Sequence, residues 1–414
     1  MLGMETPTRP TPEGFLWGTA ISAHQSEGGN VSSDAWLCEN VAGSLYREPS
    51  RDACDSYNRY AEDVAIAADL GFNCYRFGIE WARIEPEPGL FSLAELDRYR
   101  RVLEACHARG LAPMVTYSHF TVPRWFAARG GFEVADGADL FARFCERATA
   151  RLGDLIAYAS TFNEANIQRL IAQLFGRGAR AQAAIDAMLA ACAKASGSER
   201  FSSMLFAPVA TSEPVMLDAH AKGTAAMKAG PGAFPVGLTL TMQDVQGEGA
   251  GNQAEAVIAD LYGPWLEAAR AADFIGVQTY TRVRVGPEGR LPAPEGAEMT
   301  AAGYEFYPQA LGGTIRFAAE RIGRPIFVTE NGIATDDDAR RIAYIDQALA
   351  EVRQCLADGI EVKSYLYWSL LDNFEWTRGY GERFGLVHVD YDSFARTPKA
   401  SARHLGAIAR SGRI

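Results

Sequence analysis

Apolar positions in this chain fall into two alternating kinds of run. Short apolar runs recur at 15–20, 74–80, 112–117, 158–164, 235–241, 274–280, 325–330 and 362–370. Most are continuous rather than alternating in polarity, as strands covered on both faces must be. Helical periodicity fills the intervals. In 57–70, Tyr60, Val64, Ala67 and Ala68 make one apolar stripe at i, i+4, i+7 and i+8. Ser92-Leu93-Ala94-Glu95 is a capping box that opens a helix ended by Gly110. In 340–356, Ile342, Ile345, Leu349, Val352 and Leu356 share a face, and Gly359 closes the helix. Eight strands alternating with helices predict an α/β chain folded as a single (β/α)8 barrel, one domain over residues 1–414. No Pro/Gly/Ser-rich linker or internal repeat divides it. Residues 176–200 hold an Ala-rich helical stretch and a Gly/Ser break after the fourth strand. They are expected on the active-site face, either shaping a substrate entrance or as an ordinary loop helix.

Barrels of this kind build their active sites at the carboxyl ends of the strands. Two runs end there on a glutamate: Thr161-Phe162-Asn163-Glu164 and Val328-Thr329-Glu330-Asn331-Gly332, on the fourth and seventh strands. A lone glutamate at a strand–turn junction usually does no more than meet solvent. Two, brought together by a closed sheet, make the carboxylate pair that cleaves glycosidic bonds.

Composition narrows the alternatives. The 414 residues are 48% hydrophobic and 22% charged, ordinary for a globular chain. A net charge of −11 with no basic run argues against nucleic-acid and anionic-membrane partners. No stretch reaches the length of apolar sequence that a membrane span needs. The first fourteen residues carry prolines, threonines and charges but no apolar segment, so they do not read as a signal peptide, and 1–13 are expected to form a flexible extension. Seven scattered cysteines, never in C-x-x-C spacing, read as reduced thiols in a cytoplasmic protein. Six dispersed histidines suggest no metal, and nothing calls for an organic cofactor.

Longer motifs sharpen the picture. Phe15-Leu16-Trp17-Gly18-Thr19-Ala20, His24-Gln25-Ser26-Glu27-Gly28, Tyr75-Arg76-Phe77-Gly78-Ile79-Glu80-Trp81, and His119 near Pro123 precede the two glutamate motifs. Tyr367-Trp368-Ser369-Leu370-Leu371-Asp372-Asn373-Phe374-Glu375-Trp376 and Arg383-Phe384-Gly385-Leu386 follow them. In this order the blocks resemble the family 1 glycoside hydrolases, the β-glucosidases and β-galactosidases, over nearly the whole chain. The resemblance implies a retaining β-glycosidase that removes a terminal β-D-glucosyl or related residue from a small or oligosaccharide β-glycoside. It implies Glu164 as general acid/base and Glu330 as nucleophile. Arg76 and Tyr280 would hold Glu330 as carboxylate, and Asn163 would contact the sugar 2-hydroxyl. Gln25, His119, Glu375 and the indole nitrogen of Trp376 would bind glycone hydroxyls over a Trp368 floor. Trp17 and Trp81 read as core residues.

The chain departs from the family pattern in places. Ala165 stands where proline is usual, leaving the backbone after the acid less constrained, and Gln278-Thr279-Tyr280 replaces Asn-Tyr-Tyr. Phe120 follows His119 where tryptophan is common. Glu80 either pairs with an arginine such as Arg83 or borders the site. Three alternatives are a 6-phospho-β-glycosidase, which Glu375 opposes by its charge, a non-catalytic sugar-binding barrel, and a phosphate-binding barrel enzyme, which would want a glycine-rich loop after the last strands. Aglycone, epimer preference and oligomeric state are not legible.

Overall fold

A computed structural model describes residues 9–175 and 178–414. The expected apolar runs become β1 (Leu16–Ala20), β2 (Cys74–Gly78), β3 (Ala112–Ser118), β4 (Tyr158–Phe162), β5 (Val236–Thr241), β6 (Ile275–Gln278), β7 (Ile326–Asn331) and β8 (Val362–Trp368). All pair in parallel, and β1 closes the ring by pairing with both β2 and β8. In that closure Ala20 faces Trp368 on one side and Arg76 on the other. The chain is thus a single (β/α)8 barrel, with nearly every barrel-strand residue buried between the barrel interior and the helices.

Helix ends follow local chemistry. Ser92 accepts from the Glu95 amide at 3.2 Å and starts Leu93–Ala108, but the Glu95 carboxylate accepts from the Tyr57 hydroxyl at 2.7 Å, so the capping box is half formed. Asp337 accepts from the amides of Ala339 and Arg340, which starts the helix Asp338–Ala357 slightly before the expected 340. Trp17 and Trp81 are buried in the main core. All seven cysteines are free and buried, and Sγ of Cys38 lies 3.7 Å from Sγ of Cys192. Among the described residues no helix is long and apolar enough to cross a membrane, and no group of His, Cys, Asp and Glu could hold a metal ion.

Two features lie outside the barrel pattern. A small sheet of Asp244–Gly247, Arg282–Gly286 and Gly289–Arg290 stands beyond β5 and β6, and Val387–Val389 pairs antiparallel with Arg396–Pro398. Of the expected extension 1–13, residues 1–8 lie outside the described residues. Arg9 and Thr11 run along the opposite end of the chain, with the Arg9 amide donating to Ile414 and the Thr11 amide to Gly412. Residues 176 and 177 also lie outside the described residues. The rest of that segment contains the helix Ala179–Ser196, which buries Met188 and Cys192.

Candidate active site

The barrel rim carries one large cavity, about 980 Å3, and both glutamates line it. Glu164 follows β4 at φ 41°, the left-handed region, which costs a non-glycine residue of order 1–3 kcal/mol. Neighbouring strands hold that turn. The Asn163 amide donates to Ser118 of β3 at 2.8 Å, the Glu164 amide to Oγ1 of Thr239 at 3.1 Å, and the Ala165 amide to the Thr239 carbonyl at 3.0 Å. The constraint that proline would have supplied after the acid is therefore provided by β5. At Glu330 a register shift in the β6–β7 pairing, between Val328 and Glu330, re-aims the side chain at the strand end.

These glutamates meet opposite environments. Oε1 of Glu330 accepts from Nη1 of Arg76 at 2.6 Å and from Nε2 of Gln278 at 3.0 Å, and Oε2 accepts from the Tyr280 hydroxyl at 2.6 Å. Arg76 and Gln278 also donate to Oδ1 of Asn163, at 2.5 and 2.9 Å, so the four side chains form one network around the carboxylate. Burial raises the Glu330 carboxyl above its usual range, a shift that Arg76 and Tyr280 oppose and keep smaller than that of Glu164. Glu164 has no such support. Burial, then the Glu330 charge, pushes its carboxyl well above the ordinary range, opposed by a Thr241 hydrogen bond and by Arg76 at a distance. Tyr280 is likewise held protonated by burial and by the Glu330 charge, so it can only donate to the carboxylate.

The expected sugar-binding residues gather at the same cavity. Gln25, His119, Asn163, Tyr280, Trp368, Glu375 and Trp376 all line it, while Arg76 sits behind Glu330. Gln25 is oriented by the Ser22 hydroxyl at 2.7 Å and by the Phe374 carbonyl at 2.8 Å. The Trp368 indole donates to Glu375 at 3.4 Å. Burial, and next the Glu382 charge, raise the Glu375 carboxyl well above its usual range. His119 stacks near Trp368, centroids 5.6 Å apart, and burial followed by the Arg76 charge keeps its imidazole neutral. Its buried Nδ1 has no hydrogen-bond partner among the described residues. Trp376 stacks at 5.4 Å on His24, whose ring is clamped by Glu39 at 2.6 Å.

Other residues join the site without a motif to mark them. Gln278 belongs to the network around Glu330. Thr239 and Thr241, which hold Glu164, look in sequence like ordinary β-branched strand residues. Tyr304, Glu382 and Phe384 also line the cavity. Glu80 does neither thing expected of it: it caps the helix Trp81–Ile84 through the Ala82 amide at 3.2 Å and accepts from Thr121 at 2.8 Å. Arg83 instead pairs with Glu27 at 2.9 Å.

A closed barrel with paired rim glutamates in a cavity lined by aromatic rings and polar side chains has the form of an enzyme that cleaves sugar linkages. The sequence profile of glycosyl hydrolase family 1 matches residues 8–244 and 270–413. The chain belongs to that family and is a glycoside hydrolase. It is 32% identical to a β-glucosidase of Agrobacterium sp. (strain ATCC 21400), over 96% of this chain and 95% of that protein. Among solved structures it resembles β-glucosidase 1317 (TM-score 0.93, 47% identity, 96% of this chain and 99% of that one). It is equally similar to β-glycosidase BGL167 (TM-score 0.93, 48% identity, 97% and 98%).

Proposed function

We propose that the chain is a retaining β-glucosidase that releases terminal β-D-glucosyl or closely related residues by double displacement. The observation that carries this reading is the asymmetry of the two buried glutamates. Glu330 has donors on both oxygens and stands as the nucleophile, and Glu164, pushed up by burial and by Glu330, stands as the acid. Glu164 protonates the glycosidic oxygen while Glu330 attacks the anomeric carbon, and the aglycone leaves as an alcohol. Esterification removes the Glu330 charge, so the Glu164 carboxyl becomes more acidic at the moment it must act as base. It then takes a proton from water, the water oxygen attacks the anomeric carbon, and the Glu330 carboxylate is released. Asn163 supports the 2-hydroxyl, and Gln25, His119, Glu375 and Trp376 hold the glycone over Trp368. Glu375 and Glu382 offer a 6-phosphate acceptors where it would need donors, which favours a plain sugar. The seven reduced thiols support a cytoplasmic location.

Hydrolysis of p-nitrophenyl β-D-glucoside followed by proton NMR tests the mechanism, with the β-anomer of glucose as first product. Glu330→Ala should lose turnover, and added azide should partly restore release of p-nitrophenol and give the α-glucosyl azide. Undiminished activity in Glu330→Ala would remove that residue from the reaction.

A further inference from the structure

Nothing above fixes the leaving group, whose chemistry is set by the cavity beyond Glu164. The helix Ile167–Phe175 starts directly after the acid, its first amide donating to the Glu164 carbonyl at 2.8 Å. It turns Ile167, Leu170 and Ile171 to the cavity, an i, i+3, i+4 stripe. The helix Ala179–Ser196 adds Ala181 and Ile185, one turn apart, and Leu205 and Phe206 continue the wall. Ile167 and Ile171 stay only half buried. Met299 also lines the cavity and is 51% exposed, one of the few large apolar side chains exposed among the described residues. An open apolar lining of this extent marks a binding surface.

Polar groups of the same region are largely committed to each other. Arg282 pairs bidentately with Glu305 at 2.9 and 2.7 Å, and Arg284 with Glu248 at 2.5 and 2.7 Å. Gln173 donates to Asp260, and Arg378 to Glu382. A second sugar in the leaving-group position would bring several hydroxyls that must exchange water for protein partners. Gln173, Arg282, Arg284 and Arg378 already have carboxylate partners.

We propose that the enzyme favours β-glucosides of apolar, extended aliphatic alcohols over disaccharides. The inference rests on the β-glucosidase reading and names its aglycone. Ile167, Leu170, Ile171 and Ile185 are the specificity-determining contacts, burying the aglycone body as the glycosidic oxygen reaches Glu164.

The test is kcat/KM across ethyl, butyl, hexyl and octyl β-D-glucosides, with cellobiose alongside. Alkanols from propanol upward have nearly equal acidity, so the slope reports burial rather than leaving-group chemistry. A buried methylene should raise kcat/KM about fourfold until the chamber is filled. Hexyl glucoside should exceed cellobiose by at least about tenfold, a conservative bound for several buried methylenes. Ile171→Asn, at a half-buried position, should flatten the slope, and Ile185→Asn should do the same. A series flat from ethyl to octyl, cellobiose ahead of hexyl glucoside, or a slope unaltered in Ile171→Asn would overturn the proposal while leaving β-glucosidase activity standing. Failure to cleave any of these glucosides would instead sink the underlying reading.

Discussion

Tyr280→Phe isolates the support given to the nucleophile. Among the described residues Oε2 of Glu330 accepts from the Tyr280 hydroxyl alone, at 2.6 Å, while Oε1 keeps Arg76 and Gln278. The change deletes one oxygen and leaves the ring packed on Phe384 and Tyr304, at 5.8 and 6.4 Å between centroids, so the fold should persist. A hydrogen bond to a charged group contributes roughly 1.5–3 kcal/mol, and about 1.4 kcal/mol corresponds to one pH unit. Donation favours the ionised carboxylate, so its loss raises the Glu330 carboxyl and moves the acid limb of the kcat/KM profile up by roughly one to two pH units. The alkaline limb, which reports deprotonation of Glu164, should move much less, and the bell should narrow from its acid side. Both limbs belong to the coupled pair, so the assay is the full profile of wild type and variant on one aryl glucoside. An acid limb that stays in place or moves down would refute the argument, and movement of the alkaline limb alone would reverse the two roles.

Glu164→Gln should cost alkyl glucosides several orders of magnitude but spare the first step for aryl glucosides with acidic phenols, because only poor leaving groups need the proton. Equal losses along a leaving-group series would remove Glu164 as acid. Glu375→Gln should weaken glucosides roughly threefold to tenfold, because an amide nitrogen replaces one oxygen that can accept from the glycone and a neutral hydrogen bond contributes about 1 kcal/mol, read as kcat/KM on p-nitrophenyl β-D-glucoside. The same variant should resist alkaline unfolding better. Burial and neighbouring Glu382 raise the folded Glu375 carboxyl above its unfolded value, so the native state holds a proton that the unfolded chain has released. Its contribution is complete below about pH 4.3 and is lost as pH rises through the folded value. Scanning calorimetry should therefore find a smaller fall in Tm from pH 5 to pH 9 in Glu375→Gln than in wild type, and an equal fall would contradict the sign.

The barrel was legible because strands covered on both faces leave continuous apolar runs, which need no partner to be recognised. Their ends were less so: the strand expected over 158–164 pairs only as far as Phe162, and Glu164 turns into the left-handed region. The small rim sheet did carry a signal, the alternation Arg282-Val283-Arg284-Val285, that a reading tuned to buried strands passes over. Arg76, Asn163 and Glu330 were expected together and are brought together. The roles of Gln278, Thr239 and Thr241 depend on which strands become neighbours, a property of closure that no local window contains. Glu80 was undecided for the same reason, since its partner Thr121 lies on another loop.

Closure of the ring also has a consequence for how the enzyme comes into being. Gln25 follows β1, whereas Trp368 and Glu375 come at and after β8, and the β1–β8 pairing with the Gln25–Phe374 hydrogen bonds joins them. During synthesis both glutamates leave the ribosome before β8 does. A nascent chain can hold both glutamates and still lack the cavity wall that follows β8. The last strand that closes the ring thus also brings the two ends of the cavity lining together.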